Sequence, residues 1–314
     1  MAIKLVFMKI TIAIVTYKRA WALPHSLASI ASQTRKPDEV VIVLKPSGDG
    51  SEDVIKSFSS QLPIKLVVQE RGNFTDAVQM AIDNAKGDVI LFLDDDAVAE
   101  ERWVEKYENL FNSLPNVGGI SGVTYKAYIE NGKVVKTHEP FYDEKPPRYT
   151  FYRKPLPEYA NYYGWISRSG FMGAKAPPGD VFLSAVLGGV NMGLLRDAVK
   201  DCPLAYLYKR SRKGLWNEQT LAYCAKKKGY DTYRALGPRA PSVWHIVHTD
   251  SLTRGRGFWH EFWVHYDRVA NYWRLKKLGA QVSPYAYLAA CLVSLRRRPL
   301  PRLLATLYGW LVRL

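Results

Sequence analysis

The first hundred residues alternate between short apolar runs and helical stripes, and that alternation narrows the fold more than any other feature of the chain. Ile10–Thr16, Glu39–Leu44, residues 64–69 and Val89–Leu93 are rich in Val, Ile and Leu and read as strands. Between the first two, Leu23, Leu27, Ile30 and Ala31 fall at helical spacing, with Pro24 suited to a first turn. Between the last two, Ala77, Val78, Ala81, Ile82 and Ala85 form a second stripe, with Asn73 as N-cap and Gly87 as terminator. Strand–helix–strand alternation at this interval predicts an α/β fold built on a doubly wound, mostly parallel sheet. Further on, residues 217–228 read as a helix closed by Gly229. Trp259, Phe262, Trp263, Tyr266, Ala270 and Trp273 then follow the spacing of an amphipathic helix, a stripe best read as core packing.

Asp94, Asp95 and Asp96 follow the fourth strand directly. Open α/β sheets place their ligand crevices at the C-terminal ends of strands. Carboxylates gathered there repel one another unless a cation shares them, and hard oxygen ligands suit Mg²⁺ or Mn²⁺, which can in turn hold a diphosphate. Alone, such a triplet reads equally well as a solvated acidic turn.

With 314 residues the chain can bury a substantial core. Its 47% hydrophobic and 23% charged residues exclude a disordered chain. The net charge of +15 calls for anionic partners. Cys202, Cys224 and Cys291 have no paired or metal-ligand spacing, so reduced thiols and a cytoplasmic setting are expected. The first eight residues have no signal-peptide pattern, and no apolar run reaches the roughly 20 residues of a spanning helix. Residues 140–179 are crowded with proline and tyrosine and read as a functional loop or flap, whose rings, Trp165 among them, suit a sugar or amphipathic acceptor.

Several motifs, in order, resemble the family 2 glycosyltransferases of the GT-A fold. Ile12-Ala-Ile-Val-Thr-Tyr-Lys-Arg19 is similar to the family's opening strand and nucleotide loop, and Ala85 through Asp96 to the strand leading into its D-x-D motif. Leu187-Gly-Gly-Val-Asn-Met-Gly193 resembles the acceptor-side turn. Asn217-Glu218 falls where the family carries an acidic pair, and Pro241-Ser-Val-Trp-His245 resembles the segment whose histidine completes a metal site. The resemblance covers roughly residues 10 to 275. Its implied domains are an N-terminal extension (1–9), a nucleotide-sugar-binding half (10–125), an acceptor-binding and catalytic half (126–250) and a C-terminal helical region (251–314).

What the resemblance implies is a metal-dependent, inverting transfer of sugar from a nucleotide-diphosphate sugar to an acceptor hydroxyl on a glycan or lipid-linked molecule. Asp96 and His245 would hold Mn²⁺ or Mg²⁺, with His248 a competing ligand. Asp94 would reach the nucleotide-sugar, and Asp95 either joins it or faces elsewhere. Thr16, Tyr17, Asp49 and Arg71 would contact the nucleotide. Glu218 would be the general base, in place of the family's usual aspartate, with Asp180 next in line. Gly189, Asn191 and Trp165 would line the acceptor side.

Two other readings compete. A nucleotidyltransferase acting on sugar phosphates would carry a Gly-rich basic loop after the first strand, which residues 15–19 do not form. A nucleic-acid-binding protein would use Arg210, Arg212 and Lys213, but no recognition motif accompanies them, so no nucleic acid is expected. From Pro284 onward the chain contains arginines and no acidic residue. Two apolar stretches there, split by Pro299 and Pro301, either lie on an anionic membrane surface, at its cytoplasmic face, or pack on the catalytic domain.

Overall fold

The structure, a computed structural model, describes residues 8–142, 151–248, 255–296 and 298–313. The predicted strands are present as β1 (Ile10–Thr16), β2 (Glu39–Leu44), β3 (Ile64–Val68) and β4 (Val89–Leu93). They are joined in turn by α1 (Leu23–Ala31), α2 (Ser51–Ser57) and α3 (Phe74–Asn84). Sequence reading does not anticipate α2, which is short and mostly polar. Asn73 caps α3 as expected: its side chain accepts from Thr75 and Asp76 backbone N–H groups, and Asp76 returns the bond. Gly87 is not the terminator. The helix ends at Ala85, and Gly87 instead lets β4 start against β1, since a Cβ there would meet the Thr11 backbone nitrogen at 2.6 Å.

After β4 the chain forms β5 (Ala97–Ala99), α4 (Trp103–Ser113), β6 (Val117–Ser121) and the hairpin β7 (Val123–Glu130) and β8 (Lys133–Pro140). A second short hairpin, β9 (Gly164–Ile166) and β10 (Met172–Ala174), precedes β11 (Val181–Leu183) and β12 (Asn191–Leu195). Then come α5 (Arg196–Val199), α6 (Leu204–Leu207), α7 (Asn217–Lys227), β13 (Asp231–Ala235) and β14 (Ser242–Ile246). Helices α8 (Phe258–Lys277), α9 (Pro284–Ser294) and α10 (Pro299–Val312) follow.

Among the described residues, eight strands form one sheet in the order β11-β13-β6-β12-β4-β1-β2-β3. Strands β1 to β4 are mutually parallel where they pair, and β12 runs antiparallel between β4 and β6. From β1 the chain moves outward to β2 and β3, then returns to place β4 on the other side of β1. That reversal opens a crevice at the strand C-termini. Apolar side chains cover both faces. Ile10, Ile12 and Ile14 meet α1 and α4 on one face, while Ala13 and Phe92 meet α3 and α7 on the other. A smaller sheet, β5-β14-β7-β8, brings β14 to the crevice, where His245 lines it.

Two expectations are corrected here. The aromatic segment, as far as it is described, is mostly packed, with Tyr152, Tyr159, Tyr162 and Trp165 buried, while Tyr142 is exposed and lines the crevice. Tyr159 sits edge-on to Tyr162 at 4.8 Å, the Tyr162 hydroxyl donates to Asp231, and Trp165 donates to the Arg153 carbonyl at 2.6 Å. Tyr149 lies outside the described residues. The cysteines are not all reduced: Cys202 and Cys224 form a disulfide that ties the segment after α5 to α7, and Cys291 is a buried free thiol. Twenty-one intervening residues hide that pairing from the spacing, because α5 and α7 meet only in the folded chain. It also removes the compositional argument for a reducing compartment.

At the C-terminus, α9 and α10 pack on α8. Tyr287 stacks on Tyr272 at 4.2 Å and Tyr308 meets Tyr266 at 5.3 Å. None of the described helices is long and apolar enough to cross a membrane.

Candidate active site

A cleft of about 890 Å³ opens where β1 and β4 end, and it gathers residues from position 13 to position 248. The parallel pairing of β1 with β4 sets Thr16 and Tyr17 beside the aspartates. Beyond Thr16 the chain turns through Lys18, whose φ is 58°, and returns Arg19 over the acidic cluster. Arg19 Nε lies 3.5 Å from Asp95 Oδ1 and 3.6 Å from Asp96 Oδ2.

His245 arrives from 149 positions away through the smaller sheet. Strand β14 pairs antiparallel with β5, setting His245 opposite Ala97, and the Ile246 N–H donates to the Asp96 carbonyl at 2.8 Å. His245 Nδ1 lies 3.0 Å from the Ile246 carbonyl. A carbonyl only accepts, so Nδ1 carries the proton. Nε2 then faces Asp96 Oδ1 at 3.1 Å and Asp94 Oδ2 at 3.7 Å. A lone pair on Nε2 and the two carboxylate oxygens would share a cation placed between them. Ligand atoms of Asp94, Asp96 and His245 all lie within 4.8 Å of one another, and a backbone carbonyl orienting the imidazole is the usual outer support of a metal ligand. Two carboxylates and an imidazole therefore fit a divalent cation. His248 takes the other side of Asp96, donating from Nε2 to Oδ2 at 2.6 Å.

The carboxyls respond unequally. Burial works to raise Asp96, but the His248 hydrogen bond and the charges of His245 and Arg19 outweigh it and leave it lowered. Asp95 is raised well above the carboxylate range by burial and by the Asp96 charge. Glu218, in the first turn of α7, faces the same cleft. Burial, with Asp94 adding its charge, pushes it up to about 7. Gly189 makes room for it, because a Cβ there would collide with the Glu218 carboxylate.

Of the residues singled out from sequence, Thr16, Tyr17, Asp94, Asp95, Asp96, Gly189, Glu218, His245 and His248 line one cleft. Four others do not. Asp49 is occupied with the scaffold: it accepts from the Ala20 N–H at 3.0 Å and the Ser51 hydroxyl at 2.9 Å, and is lowered to about 2. Arg71 is exposed outside the cleft wall. Asn191 is fully buried and its amide is fully engaged, accepting from Trp103 and Tyr107 and donating to the Val123 and Pro241 carbonyls, each at 2.8 Å. An acceptor therefore has no access to it; it joins the two sheets instead. Trp165 is core. Asp180 is exposed beside Gly237, away from the cleft.

The basic wall brings together residues that the sequence does not connect. Lys45 lines the cleft and donates to the Gly72 carbonyl at 2.9 Å, while Arg212 and Lys213 enter from the loop before α7. Its one signal in sequence is the basic run ending at Gly214, which charge alone assigns to no particular partner.

The model of the family described as Glycosyl transferase family 2 matches residues 11–172. Among curated proteins, the chain is 38% identical over 102 residues to an uncharacterized glycosyltransferase, YwdF, of Bacillus subtilis, covering 32% of this chain and 37% of that protein. It is 24% identical over 125 residues to the glucosyl-dolichyl phosphate glucuronosyltransferase of Haloferax volcanii, covering 39% and 40%. The chain thus spans little more than a third of the length of these relatives. Among solved structures, the mannosyltransferase PcManGT of Pyrobaculum calidifontis, in complex with GDP-Man and Mn²⁺, superposes with a TM-score of 0.52 at 16% identity, covering 96% of this chain and 74% of that one. GalNAc-T7 with UDP, GalNAc and Mn²⁺ gives 0.55 at 12%, covering 82% and 48%. These likenesses establish the GT-A fold.

Proposed function

From the premise that this chain belongs to glycosyl transferase family 2, we propose that it transfers a sugar from a nucleoside-diphosphate sugar to an acceptor hydroxyl, with inversion and with a divalent metal. The observation that carries this reading is the meeting of Asp94, Asp96, His245 and Glu218 in one cleft at the C-terminal ends of β1 and β4.

In this reading Asp94, Asp96 and His245 hold Mn²⁺ or Mg²⁺, a donor set whose imidazole favours Mn²⁺. When bound, the ion neutralises charge that develops on the departing diphosphate. The chain's own cations share that work: Arg19, Lys45, Arg212 and Lys213 surround the space a diphosphate would occupy. Thr16 and Tyr17 stand on the nucleotide side. Glu218, held near neutrality, takes the proton of the acceptor hydroxyl as its oxygen bonds to the anomeric carbon and the carbon–diphosphate bond breaks on the opposite face. A single displacement of this kind inverts the anomeric configuration. The partners are the donor, a glycan or lipid-linked acceptor, and an anionic membrane surface that brings the two together.

Thermal unfolding with a panel of nucleoside-diphosphate sugars, with and without Mn²⁺, tests this directly. A donor that stabilises the protein only with metal, by about 2.7 kcal/mol at a hundredfold excess over Kd, supports the reading. Stabilisation that survives chelation would overturn the metal assignment, and an axial-to-axial or equatorial-to-equatorial product would overturn inversion.

A further inference from the structure

Helix α10 is inside out for a helix facing water. Its buried side presents small residues, Pro301, Ala305, Thr306 and Gly309, to the protein. Gly309 allows close approach to α8, where a Cβ would already stand 3.0 Å from Val269. Polar contacts fix the same side: Arg302 pairs with Glu261 at 2.6 Å, and the Thr306 hydroxyl meets His265 Nε2 at 3.2 Å. The large apolar side chains point the other way. Leu300, Leu303, Leu304, Leu307 and Leu311 recur at i, i+3, i+4, i+7 and i+11, all exposed, with Leu311 at 84%. Helix α9, joined to α10 by the Trp310–Tyr287 hydrogen bond, repeats the pattern with Tyr285, Leu288 and Leu292. A soluble helix buries its leucines and exposes its polar face. Two adjacent helices that leave so many large apolar side chains exposed call for an apolar partner.

We propose that this outward face of α9 and α10 seats the enzyme in the interface of an anionic lipid bilayer. Charge selects that partner. From Pro284 to the last residue the chain has five arginines and no aspartate or glutamate. Exposed Arg296, Arg298 and Arg313 stand at the helix ends, where they reach headgroups while the leucines enter the acyl boundary. Each adds about fivefold to partitioning near an anionic surface. With 11 and 14 residues the helices are too short to span, so they lie in the plane of the interface. The inference rests on the membrane partner of the proposed function and gives it a definite face. The donor cleft contains no residue of α9 or α10, so either reading can fail while the other stands.

Flotation of the full chain with vesicles of phosphatidylcholine alone, or mixed with phosphatidylglycerol, tests the face. The protein should float with the anionic vesicles and poorly with the neutral ones. Leu292→Glu with Leu311→Glu, at the two most exposed leucines, should cut anionic binding by about tenfold or more. Melting temperature and metal-dependent donor stabilisation should not change. Leu292→Phe with Leu311→Trp should retain binding, and Arg296→Gln with Arg313→Gln should lower the anionic preference. Failure of the parent chain to float, or equal flotation of the glutamate variant, overturns the proposal. So does a dimer in light scattering that the glutamate pair splits, because a second copy would then be what covers the leucines.

Discussion

Glu218 illustrates how much one carboxyl owes to its surroundings. A first-turn glutamate on an exposed helix would titrate near 4.5; here burial and Asp94 bring it to about 7. Glu218→Gln keeps size and hydrogen bonding but cannot take a proton, so turnover should fall by about 10²-fold or more while donor binding, read by calorimetry, holds. The wild-type kcat/KM should rise as pH passes upward through about 7, and that limb should vanish in the variant. The stability sign is opposite. A carboxyl raised in the folded state binds more protons there than when unfolded, so the metal-free protein loses stability as pH rises from about 4.5 to about 7. The loss is on the order of 3 kcal/mol, and Glu218→Gln should remove it in pH-dependent melts. At the acidic cluster, Asp96→Ala and His245→Ala should each abolish the Mn²⁺ dependence of donor binding. Donor affinity that keeps its metal dependence in either variant would move the site elsewhere.

Elements matter through what they carry to the cleft. The loop before α7 brings Arg212 and Lys213, and a buried ion pair on α8 holds it. Asp267 meets Arg274 at 2.7 Å with both side chains fully buried, and the other Asp267 oxygen accepts from the Ser211 hydroxyl and the Leu215 N–H. Arg274 lies over the Tyr208 ring at 3.6 Å and donates to the Leu207 carbonyl. Removing one partner strands the other charge, so Asp267→Asn should destabilise by about 3–5 kcal/mol. Because the loop also loosens, donor affinity at a temperature where the variant stays folded should fall, while its metal dependence persists. Nearby, the Cys202–Cys224 disulfide closes a loop with a separation of 22 residues. Cys202→Ser should cost about 3 kcal/mol in denaturant unfolding, and added reductant should lower the parent protein to match.

At the scale of the molecule, both halves share one sheet. Strand β12 lies between β4 and β6, so the nucleotide side and the Glu218 side cannot separate without breaking its ladders. One cooperative unfolding transition for residues 10–246 is therefore expected, shifted as a whole by donor plus Mn²⁺; two transitions in calorimetry, only one of them moved by donor, would contradict it. What could be read in advance was what local physics controls. The period of apolar residues determined β1, β2, β4, α1 and α3, because a strand or helix is specified by neighbours along the chain. The aspartates were legible because a charged cluster directly follows a buried strand, whereas Glu218 was legible only through the family resemblance, since a first-turn glutamate is ordinary on any helix. Contacts made across the fold were not legible in local pattern. His245 was paired with Asp96 by the family resemblance alone, since it reaches Asp96 only through the β14–β5 pairing; Cys202 reaches Cys224 only once α5 rests on α7, and Asn191 turns inward because Trp103 and Tyr107 need its oxygen. The apolar stretches at the C-terminus read as membrane-facing, with packing on the catalytic domain as the alternative, since periodicity locates an apolar stripe but not what it faces. Only packing decided which side chains are exposed, by giving the small residues to α8 and leaving the leucines outside.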